Sequence, residues 1–233
     1  MKENRTKSAL LVIDMENGFV DADSPHCIAY AKASIPACAD AVSTAREKGI
    51  PVFFVKRIYR QDGSDVELTR YRAWKEGGRA MGPGSAGGAS AEAAEGLKPQ
   101  RGDYTIIKPR WSAFFGTELD LILRRLKIET VILTGTTTPN CIRTTCYDAN
   151  SLDYNVVVLE DCCSSQTKEI QEMNIADMAR MGAIIIDHVQ FREYTEDTVG
   201  NEKEVIAREI QETELSPEPF GETEGIVGWL DRW

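Results

Sequence analysis

The sequence predicts an α/β fold of three layers, in which a six-stranded, mainly parallel and doubly wound sheet lies between two layers of helices. Short, wholly apolar segments alternate along the chain with segments whose apolar residues recur at helical spacing. The apolar segments also lack the alternation that is typical of a sheet with one face in water. A parallel sheet that helices cover on both faces accounts for both observations.

The first half of the chain contains three predicted strands and one helix. Residues 9–14 form an apolar run that ends in a carboxylate, which indicates a buried strand. Residues 34–48 are predicted to form a helix, with Ser34 as its N-cap. Two further apolar runs, at 51–55 and 104–108, predict the second and third strands.

The second half repeats this alternation without a long interruption. Its predicted elements are a helix after Thr117, a strand at 130–135, a helix from Pro139 to about Leu152, a strand at 155–160, a helix from its cap Thr167 to about Met181, and a strand at 183–187. Connections between parallel strands are expected to be right-handed.

One long segment interrupts the predicted domain, which spans residues 1–188. Residues 57–103 carry many charges and then a run rich in Gly, Ser and Ala at 82–90. Such a run is typical of a flexible connection, so we interpret 57–103 as an inserted loop region.

Residues 189–233 form an acidic C-terminal extension, with a helix predicted at 201–214. Trp229 and Trp233 stand in a polar context near the end of the chain. Because large exposed apolar side chains are unfavourable, we expect this extension to dock on the domain or on a neighbouring subunit.

Composition excludes several classes of function. The chain has 233 residues, of which 42% are hydrophobic, and a net charge of −10. This acidic balance disfavours binding to nucleic acid or to an anionic membrane. No apolar run approaches the roughly 20 residues of a membrane span, and the N-terminal segment lacks the features of a signal peptide. We therefore expect a cytoplasmic enzyme with a small-molecule substrate.

The six cysteines show neither CxxC spacing nor a nearby cluster of histidines, which disfavours a zinc site. In a cytoplasmic chain they are expected to be free thiols that mostly fill space in the core.

Three polar residues are predicted to lie at strand ends or just beyond them. Asp14 ends the first strand, Lys108 ends the third, and Cys141 follows the fourth. Alone, each would be a common cap, salt-bridge partner or packing residue. Ligands of open parallel sheets bind at the carboxyl ends of strands, so the three together predict an active site. There, the start of the following helix and the Lys108 charge are expected to lower the pKa of the Cys141 thiol, and Asp14 could accept its proton.

Three motifs resemble those of the isochorismatase-like cysteine hydrolases. They are DMENGF at 14–19, IIKPRWSAF at 106–114 and LTGTTTPNCIRTTCYDA at 133–149. The resemblance covers about residues 8–187 and implies a six-stranded parallel sheet and a dimer or tetramer.

The resemblance also implies the roles of individual residues. Asp14, Lys108 and Cys141 match the catalytic triad of the family. A cis peptide bond is implied between Thr136 and Thr137, and the Thr137 and Cys141 N–H groups would form the oxyanion hole.

Two departures narrow the implied activity. Nicotinamidases of this family carry an Asp/His metal site after the second strand, but residues 55–65 read VKRIYRQDGSD without a histidine. His26 and His188 are expected to be structural or surface residues, so neither a metal nor another cofactor is implied. True isochorismatases lack the nucleophilic cysteine at this turn, so Cys141 favours amide-type hydrolysis, as in carbamoyl or ureido amidases.

The sequence therefore predicts a hydrolase that cleaves a carbon–nitrogen bond of a small amide, carbamoyl or ureido compound through a thioester on Cys141. Candidates for the pocket wall are Phe19, Trp111 and Phe114, for which core packing is the alternative. Candidates to bind a substrate carboxylate, in no order, are Arg57, Arg60, Arg70, Arg72 and Arg110.

Two alternatives remain open at this point. One is a hydrolase of a different bond, such as the vinyl ether that isochorismatases cleave. The other is a binding or redox-sensing protein with a reactive thiol, for which Cys146, Cys162 and Cys163 are further candidates.

Overall fold

A computed structural model of the protein describes residues 7–82 and 88–213. The chain divides into two compact units, residues 1–199 and 200–233. The first unit contains a six-stranded sheet with the order β3-β2-β1-β4-β5-β6. The strands are β1 (Ser8–Ile13), β2 (Val52–Arg57), β3 (Tyr104–Lys108), β4 (Thr130–Thr136), β5 (Asn155–Ser164) and β6 (Ile184–Ile186).

Helices connect these strands and cover the sheet. They are α1 (Asn17–Val20), α2 (Ala31–Glu47), α3 (Tyr71–Glu76), α4 (Leu119–Arg125), α5 (Arg143–Ser151), α6 (Lys168–Arg180) and α7 (His188–Phe191). A π-helical turn, Thr138–Ile142, precedes α5, and two 3-10 turns occur at Gly88–Ala91 and Glu196–Thr198.

All neighbouring strands pair in parallel, and the two faces of the sheet form separate apolar cores. Along β1, Leu11 and Ile13 face a cluster that contains residues of α4, α5 and α6. Leu10 and Val12 face the opposite cluster, to which α2 and α7 contribute. The predicted three-layer fold is confirmed, and burial on both faces explains why its strands are apolar without alternation.

The strand order reverses beside β1, because β2 pairs with one edge of β1 and β4 with the other. The carboxyl ends of β1 and β4 are thus adjacent at the reversal point. In open α/β sheets this crevice is the usual place for a ligand.

The start of α2 differs from the prediction, in which Ser34 was the N-cap. The helix begins at Ala31, three residues earlier, and Ser34 is buried inside it. Its hydroxyl donates to the carbonyl oxygen of Ala31 at 2.9 Å. A serine that bonds back to the preceding turn fits within a helix, and the alanine-rich start extends the helix toward its N-terminus. By contrast, Thr167 does cap α6 by accepting from the N–H of Ile170.

The described part of the inserted region is folded, whereas a loop was predicted. It includes α3 and a third apolar cluster around Trp74, which donates from its indole N–H to the Ala80 carbonyl oxygen at 2.8 Å. The cluster consists of Tyr59, Val66, Trp74, Ala80 and Met81. Most of the glycine-rich run at 82–90 lies outside the described residues.

The chain continues to pack on the sheet after residue 188. Phe191 and Tyr194 are buried in the core on the α2 side, and the first compact unit runs through Val199. In the second unit, α8 (Glu202–Glu212) lies within the helix predicted at 201–214. Trp229 and Trp233 fall outside the described residues. Across the described parts of the chain, no helix has the length and apolar character needed to cross a membrane.

Candidate active site

Three strand ends bring the predicted catalytic residues together. Asp14 directly follows β1, Lys108 is the last residue of β3, and Cys141 lies in the π-helical turn after β4. The Asp14 backbone has a φ of +51°, and its N–H donates to the Val55 carbonyl oxygen at 2.9 Å. A left-handed conformation is uncommon for a residue with a side chain. Here it lets the chain turn sharply after β1 while staying bonded to β2.

The Lys108 ammonium bridges the other two side chains. Its Nζ lies 2.7 Å from Asp14 Oδ2 and 3.5 Å from Cys141 Sγ, and it also donates to the Arg110 carbonyl oxygen at 3.1 Å. Lys108 is 0% exposed, Asp14 1% and Cys141 5%. A buried ammonium requires such partners for its donors, so the three contacts fix the position of Lys108.

The turn that carries Cys141 depends on a close approach of β4 to β1. Gly135 has a φ of +113°, and an added Cβ would lie 2.0 Å from the Ile13 carbonyl oxygen. Only glycine fits there. One residue further along the chain, the peptide bond between Thr136 and Thr137 is cis. The Thr138 hydroxyl donates to the Ser164 carbonyl oxygen at 3.0 Å and ties the turn to β5.

The predicted lowering of the Cys141 pKa is wrong. Burial, followed by the charge of Asp14, raises the pKa of the thiol to about 11. The positive charges of Lys108 and Arg57 act in the opposite direction but do not outweigh these effects. Desolvation disfavours a thiolate in a closed site, so the resting thiol is neutral at physiological pH.

Arg57, at the end of β2, brings a second cation to the thiol. It is 2% exposed, and its Nη2 lies 3.9 Å from Cys141 Sγ. Its Nη1 forms an ion pair with Glu67 and donates to Tyr59 Oη at 3.1 Å. The Tyr59 hydroxyl in turn donates to Glu67 Oε2 at 2.8 Å. Burial alone would lower the pKa of Arg57, but the neighbouring acidic groups, Asp14 first among them, raise it above its ordinary value, so the guanidinium stays charged.

Sequence reasoning gave Arg57 no priority over four other arginines and missed Tyr59 and Glu67. The available signal was the position of Arg57 at a strand end, beside the other site residues. The predicted strand stopped at residue 55, two residues before the observed end of β2, and this hid the signal.

Glu16 is a second residue that sequence reasoning missed. It is 1% exposed, and its Oε1 accepts from the backbone N–H of Arg57 at 2.7 Å. Within the described parts of the chain, its Oε2 has no hydrogen-bond partner. Burial and the charge of Asp14 raise the pKa of this carboxyl well above its ordinary value. Glu16 thereby links the ends of β1 and β2 behind the site.

A cavity of about 390 Å³ opens above the thiol. Phe19 and Trp111 line it as predicted, but Phe114 does not. The Phe114 ring instead stacks on Tyr154 at 5.7 Å and packs against the core. The other residues that line the cavity are Asp14, Pro25, His26, Cys27, Ile28, Arg57, Arg70, Ala73, Thr137, Pro139, Asn140, Cys141 and Gln166.

Among the five candidate arginines, Arg57 and Arg70 line the cavity. The Arg70 guanidinium lies over the Trp111 ring, 5.6 Å from its centroid. Arg110 donates to the carbonyl oxygens of Asp65 and Pro109 and so holds loops together. The remaining two, Arg60 and Arg72, have exposed side chains that do not line the cavity.

The two histidines have different surroundings. His26 lines the cavity, which the prediction of a structural or surface role did not include. Burial and the charge of Arg70 lower its pKa below the ordinary value, which favours the neutral ring. His188 lies at the start of α7, paired with Asp161. Across residues 7–82 and 88–213, no group of three or more His, Cys, Asp or Glu side chains is arranged to hold a metal ion.

Comparisons with known proteins agree with this architecture. The family model described as Isochorismatase domain matches residues 8–190. A probable inactive nicotinamidase of Arabidopsis thaliana is 39% identical over 184 residues, which are 78% of this chain and 93% of that protein. A ureidoacrylate amidohydrolase of Pantoea ananatis is 31% identical over 170 residues, which are 66% of this chain and 68% of that protein.

A solved structure gives the same result. The crystal structure of an isochorismatase family protein from Desulfovibrio vulgaris has a TM-score of 0.75 and 39% sequence identity, covering 86% of this chain and 98% of that one. The sequence matches the Isochorismatase domain model, and the architecture matches a solved structure of that family. The chain therefore belongs to the isochorismatase family.

Proposed function

We propose that the protein is a cysteine hydrolase that cleaves a carbon–nitrogen bond of a small amide, carbamoyl or ureido compound. The contact of one buried ammonium, that of Lys108, with both Asp14 and Cys141 at the base of a cavity carries this proposal. A nucleophile, a base within reach of it and a cation that orients both are the parts that acyl transfer requires. Relatives named as amidohydrolases support the same reaction class.

The first half of the proposed reaction forms a thioester. As the substrate binds, Asp14 takes the proton of the Cys141 thiol, and the sulfur attacks the substrate carbonyl carbon. The N–H groups of Thr137 and Cys141 would stabilise the oxyanion of the tetrahedral intermediate. The carbon–nitrogen bond then breaks, and Asp14 returns the proton to the leaving ammonia or amine.

The second half releases the acid. A water molecule attacks the thioester while Asp14 accepts its proton, and the carbon–sulfur bond breaks to restore the Cys141 thiol. Lys108 remains charged throughout and holds Asp14 and the sulfur at their distances. Because the resting thiol has a pKa of about 11, deprotonation has to be coupled to the approach of the substrate. Asp14 suits this role since it shares Lys108 with the sulfur.

The thiols outside the cavity fit a redox-sensing role poorly. Cys146, Cys162 and Cys163 are all buried, and burial contributes to a raised pKa at each. Reactive cysteines are usually accessible and have a lowered pKa. Space filling in the core accounts for these three residues.

Ammonia release from a panel of small amides, ureides and carbamoyl compounds tests the proposal. Wild type is compared with Cys141→Ala and with Cys146→Ala, a matched control in which a buried cysteine away from the cavity is shortened. We expect release by wild type and Cys146→Ala, and none above background by Cys141→Ala. No release from any panel member would instead favour the ether-cleaving alternative, which predicts that turnover of a vinyl ether survives in Cys141→Ala better than in Asp14→Asn. Disulfide formation without turnover would favour the redox alternative.

A further inference from the structure

Within the proposed amidase function, we infer that Arg57 is the specificity-determining anchor for a substrate that carries a carboxylate close to its scissile carbonyl. Arg57 lines the cavity and touches the proposed nucleophile through Nη2, 3.9 Å from Cys141 Sγ. It can therefore contact a substrate atom and the sulfur at the same time.

The two sides of the Arg57 guanidinium are used differently. The Nη1 side is saturated by Glu67 and Tyr59, and both oxygens of Glu67 are occupied on that side. The opposite edge consists of Nε and Nη2. Among the described residues, Nε has no hydrogen-bond partner, and Nη2 is recorded only with the Cys141 sulfur. A buried donor that makes no hydrogen bond costs free energy. This edge therefore favours a ligand that supplies hydrogen-bond acceptors.

The geometry of this unpartnered edge indicates the class of ligand. Two parallel N–H groups of a guanidinium match the two oxygens of a carboxylate. Glu67 and Tyr59 hold the guanidinium from behind, so little side-chain freedom remains to be lost on binding.

The distance to the sulfur limits the length of the substrate. A carbonyl carbon in position for attack lies about 3–3.5 Å from the nucleophile, and a carboxylate on Arg57 would lie about 2.8 Å from Nη2. With Nη2 only 3.9 Å from Sγ, the two groups of the substrate have to be close together. Half-amides of short dicarboxylic acids and N-carbamoyl or ureido acids have this form.

The charges that line the cavity also favour an anion. They belong to Asp14, Arg57 and Arg70. Asp14 is paired with Lys108 and Arg57 with Glu67, so these two pairs largely offset each other. Arg70 adds a positive charge beside Trp111. A cationic substrate would meet two arginines, whereas an anionic one gains from both.

Calorimetric titration of the Cys141→Ala variant with succinamate and with succinamide tests this inference. The two probes differ chiefly in the replacement of a carboxylate by a neutral amide. Because this variant lacks the proposed nucleophile, binding is measured without turnover. Failure of the ammonia assay would thus refute the amidase proposal and leave the binding test intact.

We expect succinamate to bind at least about tenfold more tightly than succinamide, the range of a charge-assisted bidentate contact. Introducing Arg57→Lys into the Cys141→Ala variant keeps the positive charge but removes the paired donors. It should reduce the ratio of the succinamate affinity to the succinamide affinity several-fold. The pair Arg57→Gln with Glu67→Gln, which leaves no buried charge unpaired, should bring it near one. The control Arg72→Gln changes an exposed arginine that does not line the cavity, and it should leave this ratio of affinities unchanged.

If the paired variant fails to fold, the Arg57→Lys variant decides the question. Equal or undetectable binding of the two probes would overturn the inference, as would a ratio that Arg57→Lys leaves unchanged. If Arg57→Lys weakened both probes equally, Arg57 would act on the scissile carbonyl, and the anchoring role would be refuted.

Discussion

Asp14→Asn should make Cys141 react faster with an alkylating agent, even though it should abolish turnover. The negative charge of Asp14 is the second-largest contribution that raises the pKa of the thiol, after burial. Asparagine removes that charge and cannot act as a base. The two cations beside the sulfur remain, at 3.5 Å for Lys108 Nζ and 3.9 Å for Arg57 Nη2.

The size of the effect follows from the thiolate population. A thiol with the ordinary pKa of about 8.5 holds roughly 300 times more thiolate near neutral pH than one with a pKa of about 11. A charge at contact distance shifts a pKa by about 1–3 units. Removing the Asp14 charge should therefore speed alkylation of Cys141 near pH 7.5 by about tenfold or more.

Iodoacetamide labelling, followed by mass spectrometry of the peptide that contains Cys141, measures this rate. Cys27 lines the same cavity and serves as an internal control for access. In the wild type, labelling of Cys141 should still increase above pH 10, because its pKa is about 11. Slower or unchanged labelling in Asp14→Asn, or a wild-type rate that levels off below pH 8, would refute the assignment of a neutral resting thiol.

Three further variants, one of them with a matched control, test the surroundings of the site. Lys108→Met should abolish activity and lower the free energy of unfolding by about 3–5 kcal/mol in urea titrations, because it leaves the buried Asp14 charge unpaired; a loss below about 1 kcal/mol would contradict this. Glu16→Gln tests the raised pKa of that carboxyl. A raised pKa in the folded state contributes stability at low pH, which is lost as the pH rises from about 4.3 toward the folded-state pKa, at up to about 1.4 kcal/mol per pH unit. The variant lacks this loss, so its stability relative to wild type should rise as the pH increases above about 4.3, and a constant difference would argue against the raised pKa of Glu16. Gly135→Ala should cost more than about 3 kcal/mol or prevent folding, since a Cβ would meet the β1 backbone at 2.0 Å. Gly182→Ala, which also has a positive φ but no atom within 4 Å, should cost only about 1–2 kcal/mol, and equal costs would refute the steric explanation.

The fold could be predicted from the sequence because burial on both faces leaves a direct signal in each strand. All six predicted strands occur, and the comparisons confirm the predicted family and class of enzyme. The predicted ends of helices and strands are wrong where the local preference of one residue type was taken as a boundary signal. At Ser34 a typical cap residue lies inside a helix, and at Arg57 a charged residue extends a strand that seemed to end earlier.

The site was predictable only in part. The motifs placed Asp14, Lys108 and Cys141 at strand ends, and parallel pairing brings those ends together. The direction in which the pKa of Cys141 shifts was not predictable. It depends on how the effects of burial and of Asp14 compare with those of two cations, whose distances from the sulfur the sequence does not contain. The Arg57–Glu67 pair escaped for a similar reason, since it depends on how the inserted region folds.

Several expectations stay predictions. They are the homo-oligomer and the docking of the tail that carries Trp229 and Trp233. The cytoplasmic location and the oxyanion-hole roles of the Thr137 and Cys141 N–H groups are further predictions of this kind. Size-exclusion chromatography with light scattering measures the oligomeric state, and a monomeric mass would contradict the oligomer that the family resemblance implies.

Trapping of the acyl-enzyme tests the central claim most directly. A substrate from the ammonia panel is mixed with the enzyme, the reaction is quenched in acid, and the intact protein is weighed and then digested. We predict a mass increase equal to the acyl group, located on Cys141, removed by hydroxylamine and absent from Cys141→Ala. Ammonia release by the wild type with no adduct, together with turnover by Cys141→Ala, would contradict the proposed thioester mechanism.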